Sequence, residues 1–117
     1  NCEDLTSLNV SNFDTSSVGS MNGMFYGCNS LTDINGVENF NIEGITSAAG
    51  LTHFMNNVTL PTARYDALLV NWDAQDPLDN LVPNFGGSQY TAGGTAAAAR
   101  ANLISTDGWT ITDGGTV

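Results

Sequence analysis

Apolar and polar residues alternate at the start of the chain, and the same arrangement then returns. The stretch LTSLNV places Leu5, Leu8 and Val10 at the spacing of a strand and its bend. A polar turn follows, and the segment MNGMF then carries apolar residues at i, i+3 and i+4, which is the spacing of one helix face. The pattern predicts a unit of strand, turn and short helix.

The second occurrence of this unit begins at Leu31, which lies 26 residues after Leu5. One extra residue, Gly36, lengthens the offset to 27, so that Phe13 aligns with Phe40. Self-similarity at this period is typical of solenoids, because such a unit buries its apolar stripe only against a neighbouring unit. We therefore expect a leucine-rich-repeat-like α/β solenoid of about two coils. Its predicted core ladder consists of Leu5, Leu8, Phe13, Leu31, Ile34 and Phe40.

The pattern changes after residue 57, and residues 58–117 are predicted to form a C-terminal α/β cap in the same structural domain as the repeats of residues 1–57. Pro61 opens an apparent helix whose apolar side chains share one face: Tyr65, Leu68, Leu69 and Trp72. A second, Ala-rich helix is expected to point Leu103 and Ile104 inward, and Gly108 ends it. Short strands are predicted at Leu81–Phe85 and at the segment WTIT, and we expect Trp72 and Trp109 in the core of this cap.

A known family resembles the first unit. The stretch LTSLNVSNFDTSSVGSMNGMFYGC is similar to the repeats of BspA-like surface proteins, a leucine-rich-repeat-like group also described as Mycoplasma-lipoprotein-type, with the pattern LTxLDLSNFDTSxVTxMxxMFxGC. The phrases YDALL and GWTITDGG resemble the segment that closes some of these arrays. The second unit lacks the MxxMF element. The resemblance implies a non-catalytic module of an extracellular surface protein that serves adhesion, protein binding or assembly.

Composition and charge narrow the range of partners. Of 117 residues, 12% are charged, and two arginines face twelve acidic residues with no lysine, for a net charge of -10. Phosphate contacts need clustered Lys or Arg, so this charge argues against nucleic acids and anionic lipid headgroups. No apolar run is long enough to span a bilayer.

The two cysteines, Cys2 and Cys28, are one unit apart. Equivalent positions of neighbouring coils lie about 5 Å apart, which is within the Cα range of a disulfide. Stacked side chains, however, run parallel, whereas a disulfide needs them to converge. A pair of small buried thiols and a disulfide between Cys2 and Cys28 therefore both remain open.

Oxygen-rich side chains crowd the stretch DAQDPLDN. Asp73, Asp76 and Asp79 form a candidate calcium site there, since carboxylates are the ligands that Ca²⁺ prefers. The spacing fits no EF-hand, and a solvated acidic loop after a helix is the competing interpretation. No other metal site and no cofactor site are predicted.

An enzyme is not expected. His53 is the single histidine, and no serine lies in a nucleophile motif such as GxSxG. Two sequons for N-glycosylation occur, at Asn9 and Asn57.

The function predicted from the sequence is therefore binding at an extracellular surface. The expected partner is a protein or glycan. The alternative is a structural subunit that assembles with copies of itself through an open N-terminal edge. The strand of Leu5 to Val10 has a following unit on one side and no preceding one in this sequence. We therefore expect either further repeats upstream in a longer protein, which is the simpler explanation, or another subunit docked at this edge.

Overall fold

The computed structural model describes residues 4–117. Within that range, two short strands, β1 (Ser7–Asn9) and β2 (Asp33–Asn35), form a parallel pair. Two helices follow, α1 (Thr62–Asp73) and α2 (Thr95–Ser105), and a single 3-10 turn lies at Val37–Asn39. The molecule measures 37 × 32 × 22 Å, with a radius of gyration of 12.9 Å. In residues 4–117 no helix is both long and apolar enough to cross a membrane.

The predicted solenoid of about two coils with a cap is wrong. The described chain is a small, compact α/β structure with two three-residue strands and two helices, and it shows no repeat architecture. The expected helix at MNGMF is a series of turns, because Gly23 and Gly27 take left-handed conformations with φ of 70° and 83°. Most backbone hydrogen bonds of residues 4–57 therefore lie in turns and loops instead of strands.

Residues 6–25 nevertheless lie directly beside residues 32–54. The β1–β2 register pairs Leu8 with Ile34, and Val10 N donates to Asn35 O at 2.8 Å. Gly36 permits this approach: its φ is 96°, and a Cβ there would lie 2.5 Å from the Cα of Ser11. A larger residue at this position would push the two segments apart.

Helix α1 forms where its apolar spacing predicts it. Pro61 is the residue before the helix, and its fixed φ suits a helix start. The buried residues recur at i, i+3, i+4 and i+7, which gives one continuous apolar face: Tyr65, Leu68, Leu69 and Trp72. Pro77 lies just beyond the C-terminal end, where the chain cannot continue as a helix.

Helix α2 packs against α1 through small side chains. Ala96 and Ala99 are buried together with Leu103, so the two helix backbones can approach closely. Ile104 is predicted to point inward, but it is exposed. The buried stripe of α2 passes through Ala99 and Leu103, which are four residues apart, and Ile104 lies beside this stripe.

Neither of the two strands predicted after α1 forms. The segments at 81–85 and 109–112 run side by side, but they share a single bridge, Asn84 to Thr112. Pro83 lacks an N–H group and so interrupts the ladder, although its carbonyl accepts from Thr112 N at 3.1 Å.

One apolar core joins both halves of the described chain. Trp72 is completely buried and Trp109 nearly so, which confirms that both are core residues, although the core is a shared one and not that of a separate cap. Leu31, Ile34 and Phe40 are also buried.

The other half of the predicted core ladder does not belong to the core. Leu5 is 37% exposed, Phe13 is 53% exposed, and Leu8 is only partly buried against the core. The physical reason is that this segment is covered on one side, by residues 31–55, and its other side meets solvent.

Candidate binding surface

Four large apolar or aromatic side chains are exposed along residues 5–26. We call this group the uncovered face; its members are Leu5, Phe13, Met24 and Tyr26. Tyr26 is 60% exposed and Phe13 is 53% exposed. Single exposed apolar residues are ordinary on protein surfaces, but several within one short segment make that segment a candidate interaction site.

Aromatic rings in residues 5–26, the first segment, contact aromatic rings in residues 31–55, the second segment. Phe13 stacks on Phe40 with ring centroids 6.5 Å apart and planes at 13°. Phe25 meets Phe54 edge-on at 5.3 Å, in the core. The Phe13 ring therefore has one side against the buried Phe40 and the remainder in solvent.

Side-chain turns hold the loops beside the uncovered face. Asn9 Oδ1 accepts from the backbone N of Ser11 at 2.9 Å and from its hydroxyl at 2.6 Å. Asp14 Oδ1 accepts in the same way from Ser16 at 3.0 and 2.6 Å, and these hydrogen bonds lower the pKa of Asp14. Such turns reduce the freedom of the loops, which lowers the entropy cost of binding a partner.

Strand β1 lies at the edge of the pair. The sheet contains β1 and β2 only, so in residues 4–117 the second edge of β1 has no strand beside it. An open edge offers N–H and C=O groups to an extended partner segment.

A shallow cavity of about 390 Å³ lies where the two segments meet at Tyr26. We call it the tyrosine–histidine corner, and its lining residues are Asn22, Gly23, Tyr26 and His53. The rings of Tyr26 and His53 have centroids 6.0 Å apart at 81°, so they form two walls at nearly a right angle. None of the lining residues is acidic, and none is a lysine or an arginine.

Local hydrogen bonds fix the polar groups of this corner. Asn22 Nδ2 donates to Ala49 O at 3.0 Å, and Asn56 Nδ2 donates to His53 Nδ1 at 3.0 Å. In the neutral ring this bond leaves the proton on Nε2, which can donate to a ligand. Asn56 Oδ1 is buried and has no hydrogen-bond partner in the described chain.

The backbone of His53 is left-handed, with φ of 59°. This conformation is uncommon for residues other than glycine, and such residues concentrate at binding and catalytic sites. Gly23, on the opposite segment, has φ of 70°, and a Cβ there would meet only the Cβ of Tyr26, at 3.9 Å.

A second, smaller cavity of about 240 Å³ lies beside Arg64. Its charges are already paired: Arg64 Nε is 2.9 Å from Asp33 Oδ1, and Nη1 is 2.7 Å from Glu38 Oε2. The hydrogen bond from Arg64 holds the pKa of Asp33 below its usual value of 3.8. This cluster ties α1 to the strand pair and leaves little charge for a ligand.

Asp113 anchors the C-terminal segment to both helices. Its side chain is 3% exposed and accepts from Tyr65 Oη at 2.5 Å, Arg100 Nε at 2.9 Å and Gly115 N at 3.0 Å. Burial, together with the Asp113 carboxylate, raises the pKa of Tyr65 far above its usual range. The guanidinium of Arg100 also lies 4.9 Å from the centre of the Tyr90 ring. All partners are satisfied, which favours a structural role.

The calcium candidates are Asp73, Asp76 and Asp79, and two of the three residues make hydrogen bonds to other segments. Asp73 Oδ1 accepts from Asn102 at 2.6 Å, and Asp76 N donates to Glu43 Oε2 at 2.7 Å, so this loop is engaged with neighbouring segments. No group of three acidic, His or Cys side chains in residues 4–117 is arranged to hold a metal ion. Burial, together with the carboxylates of Asp79, Asp73 and Asp76, raises the pKa of Asp107.

The cysteine prediction falls partly outside the described residues. Cys2 lies outside them, so the disulfide between Cys2 and Cys28 stays a prediction. Cys28 is buried, and no free cysteine is present in the described range.

Both sequon asparagines, Asn9 and Asn57, are exposed. Asn57 has a φ of 66°.

Sequence reasoning missed the tyrosine–histidine corner and the Asp113 cluster. Tyr26 follows the buried Phe25 and occupies the variable position of the MFxGC element, which is the signal that could have marked it as outward-facing. Nothing in the sequence indicates that Asp113 is buried, because it stands in a Gly-rich stretch that is typical of loops.

Comparison with family models, with curated proteins and with solved structures finds no match to this chain.

Proposed function

We propose that this protein is a non-catalytic binding module of an extracellular or cell-surface protein, and that it contacts a partner protein through the uncovered face. The observation that carries the proposal is the exposure of Leu5, Phe13, Met24 and Tyr26 within one short segment. The resemblance of this segment to BspA-like repeats favours the same class of function.

The surroundings of the uncovered face support a binding surface. Interfaces commonly have an apolar centre and a polar rim, and here the exposed apolar residues lie among loops held by Asn9 and Asp14. A rigid aromatic anchor such as Phe13 provides contact area at a small entropy cost.

The extracellular location is supported by the surface chemistry. The chain carries few charges, and its polar residues are mainly Ser, Thr, Asn and Gly. Buried Cys28, in a described chain without a free cysteine, suits an oxidising compartment.

Binding to intact cells tests the proposal. Fluorescently labelled protein is titrated onto epithelial cells before and after mild protease treatment of the cell surface. We expect saturable binding that the treatment removes and that the double variant Phe13→Ser, Met24→Ser weakens by about tenfold or more, as the loss of anchor residues does.

A matched control removes exposed apolar residues elsewhere. The double variant Val82→Ser, Ile104→Ser changes side chains of similar exposure in the C-terminal half. It should bind like the wild type, and circular dichroism melting checks that both variants fold. Equal losses in the two double variants, or no saturable binding by the wild type, would contradict the proposal.

The alternative function is self-assembly, and the unpaired edge of β1 favours it. Size-exclusion chromatography with light scattering separates the two functions. Concentration-dependent growth that Phe13→Ser, Met24→Ser abolishes supports a structural subunit, whereas a monomer at millimolar concentration excludes it.

A further inference from the structure

We infer that the tyrosine–histidine corner binds a neutral sugar, stacked on Tyr26 and hydrogen-bonded to Asn22 and His53. The inference rests on the proposed binding function and adds a ligand class at the part of the uncovered face that Tyr26 forms.

The shape of the corner suits a ring with one apolar face. Tyr26 is 60% exposed, and His53 closes the adjacent side at 81° to it. A pyranose presents a patch of C–H groups that can lie against an aromatic ring, while its hydroxyls point outward around the rim. The volume of about 390 Å³ falls within the range of small-molecule sites, about 300–1,000 Å³.

The polar groups of the corner match hydroxyls better than charges. Asn22 donates its amide N–H to Ala49 O, which orients the amide and leaves Oδ1 as an acceptor. His53 receives a hydrogen bond at Nδ1 and so presents Nε2–H as a donor. A sugar hydroxyl both donates and accepts, and one acceptor and one donor at fixed positions can therefore engage neighbouring hydroxyls.

Electrostatics disfavour charged ligands at this corner. With a net charge of -10, the chain repels phosphorylated, sulfated and carboxylated ligands. The lining residues Asn22, Gly23, Tyr26 and His53 supply no carboxylate to hold a metal cation. These features favour a neutral, polar ligand with an apolar face.

The conformation of the corner is set before a ligand arrives. His53 has a left-handed backbone, and its ring is held by Asn56 and by the edge contact with Tyr26. Gly23 leaves the floor of the cavity free of a side chain. Preorganisation of this kind lowers the entropy cost of binding, which matters most for the weak binding typical of single sugars.

Amide chemical-shift titration tests the inference on the full chain. The probes are methyl glycosides of glucose, galactose, mannose and N-acetylglucosamine, each added to about 100 mM, which suffices for millimolar affinity. We expect at least one to give saturable shifts confined to residues 22–26 and 53–56, with saturation transfer strongest at the sugar C–H protons.

Three variants sharpen the test. Tyr26→Ala should weaken the binding by about tenfold, whereas Tyr26→Phe keeps the ring face and should retain most of it. His53→Asn tolerates the left-handed backbone but removes the ring, and it should also weaken binding. Ile104→Ala removes a similarly exposed apolar side chain from α2 and should leave the titration unchanged.

Four outcomes overturn the inference: no saturable shift with any of the probes, shifts centred elsewhere, unchanged binding in Tyr26→Ala, or binding of charged sugars such as a sialoside in preference to neutral ones. If sugars fail while Phe13→Ser, Met24→Ser still abolishes binding to cells, the sugar site is wrong and the proposed function stands. If neither the sugars nor the cells give saturable binding, both the sugar site and the proposed function are wrong.

Discussion

The two halves of the molecule bury their apolar residues in different ways. Residues 4–57 contain two three-residue strands and many turns, and their first segment is covered on one side only. Residues 58–117 contain both helices and bury Tyr65, Trp72 and Trp109. Within the first half, the same residue type is core at Leu31 and surface at Leu5, depending on whether a second layer covers it.

The two halves also differ in the partners of their polar and charged side chains. In the first half, Asn9 and Asp14 bond within their own exposed loops, whereas Asp33 and Glu38 bond to Arg64 of the second half. In the second half, both arginines reach across elements to carboxylates, and Asp113 is buried among its partners. The C-terminal half therefore has few and specific polar anchors, and losing one of them should cost more than losing a surface turn.

The largest effect is expected at Asp113. Replacing Asp113 with Ala leaves Arg100 and Tyr65 without their acceptor in a buried site, and breaking such a cluster costs about 3–5 kcal/mol. Urea denaturation followed by far-UV circular dichroism measures the change. Asp113→Asn keeps the shape but loses the charge, so it should be intermediate; a wild-type midpoint for Asp113→Ala would mean that this anchor is not needed.

The next effect separates the two layers of the first half. Leu31 is 2% exposed, so Leu31→Ala should cost about 2–5 kcal/mol, as large-to-small core changes do. Leu5, its equivalent 26 residues earlier, is 37% exposed, and Leu5→Ala should cost less than about 1 kcal/mol. Equal losses in urea midpoint would show that the face at Leu5 is covered in solution.

A spectroscopic measurement tests the burial of the C-terminal half. Trp72 and Trp109 donate their indole N–H groups to the carbonyls of Val37 and Leu78 and are almost inaccessible. We expect short-wavelength emission and slow quenching by acrylamide, a neutral quencher that the negative chain does not repel. Single Trp→Phe variants separate the two signals, and rapid quenching of either one would place that tryptophan at the surface.

The smallest effect is a pH dependence at the ion pair that joins the halves. Arg64 lowers the pKa of Asp33 in the folded state below 3.8, its value when unpaired. The folded state then binds protons less readily than the unfolded state, so this contribution is complete above about pH 4 and is lost as the pH falls below it. Because Asp33 is 35% exposed, the effect is modest.

Asp33→Asn should flatten this part of the stability profile. Urea midpoints between pH 2.5 and 5 measure it, with Asp79→Asn as an exposed-loop control. A variant whose profile keeps the full slope of the wild type would show that the pairing with Arg64 contributes nothing.

The sequence predicted the two helices after residue 57 well, but it predicted the helix at MNGMF, the strands after α1 and the layering poorly. Helix α1 follows from the spacing of Tyr65, Leu68 and Trp72, because a helix is determined by residues close in the chain. Phe13 could not be assigned from its pattern, since whether a side chain is buried depends on what covers it from elsewhere. The predicted solenoid failed for a related reason: similar spacing does not ensure regular backbone when Gly23 and Gly27 turn it.

The candidate site was even less accessible from the sequence. Tyr26 and His53 come together only because the two segments lie side by side, and neither residue belongs to a motif. The charge of -10, by contrast, argues against anionic partners without any structure, because it is a property of composition alone.

The positions of the two ion-paired arginines also determine where trypsin can cleave the molecule. With no lysine in the chain, trypsin has two target bonds, after Arg64 and after Arg100, and these lie within α1 and α2. A protease binds its substrate in extended form, so each bond becomes available only when its helix opens. Cleavage rates at the two bonds would therefore report the opening of each helix separately, on a protein that offers trypsin no site along the surface proposed for binding.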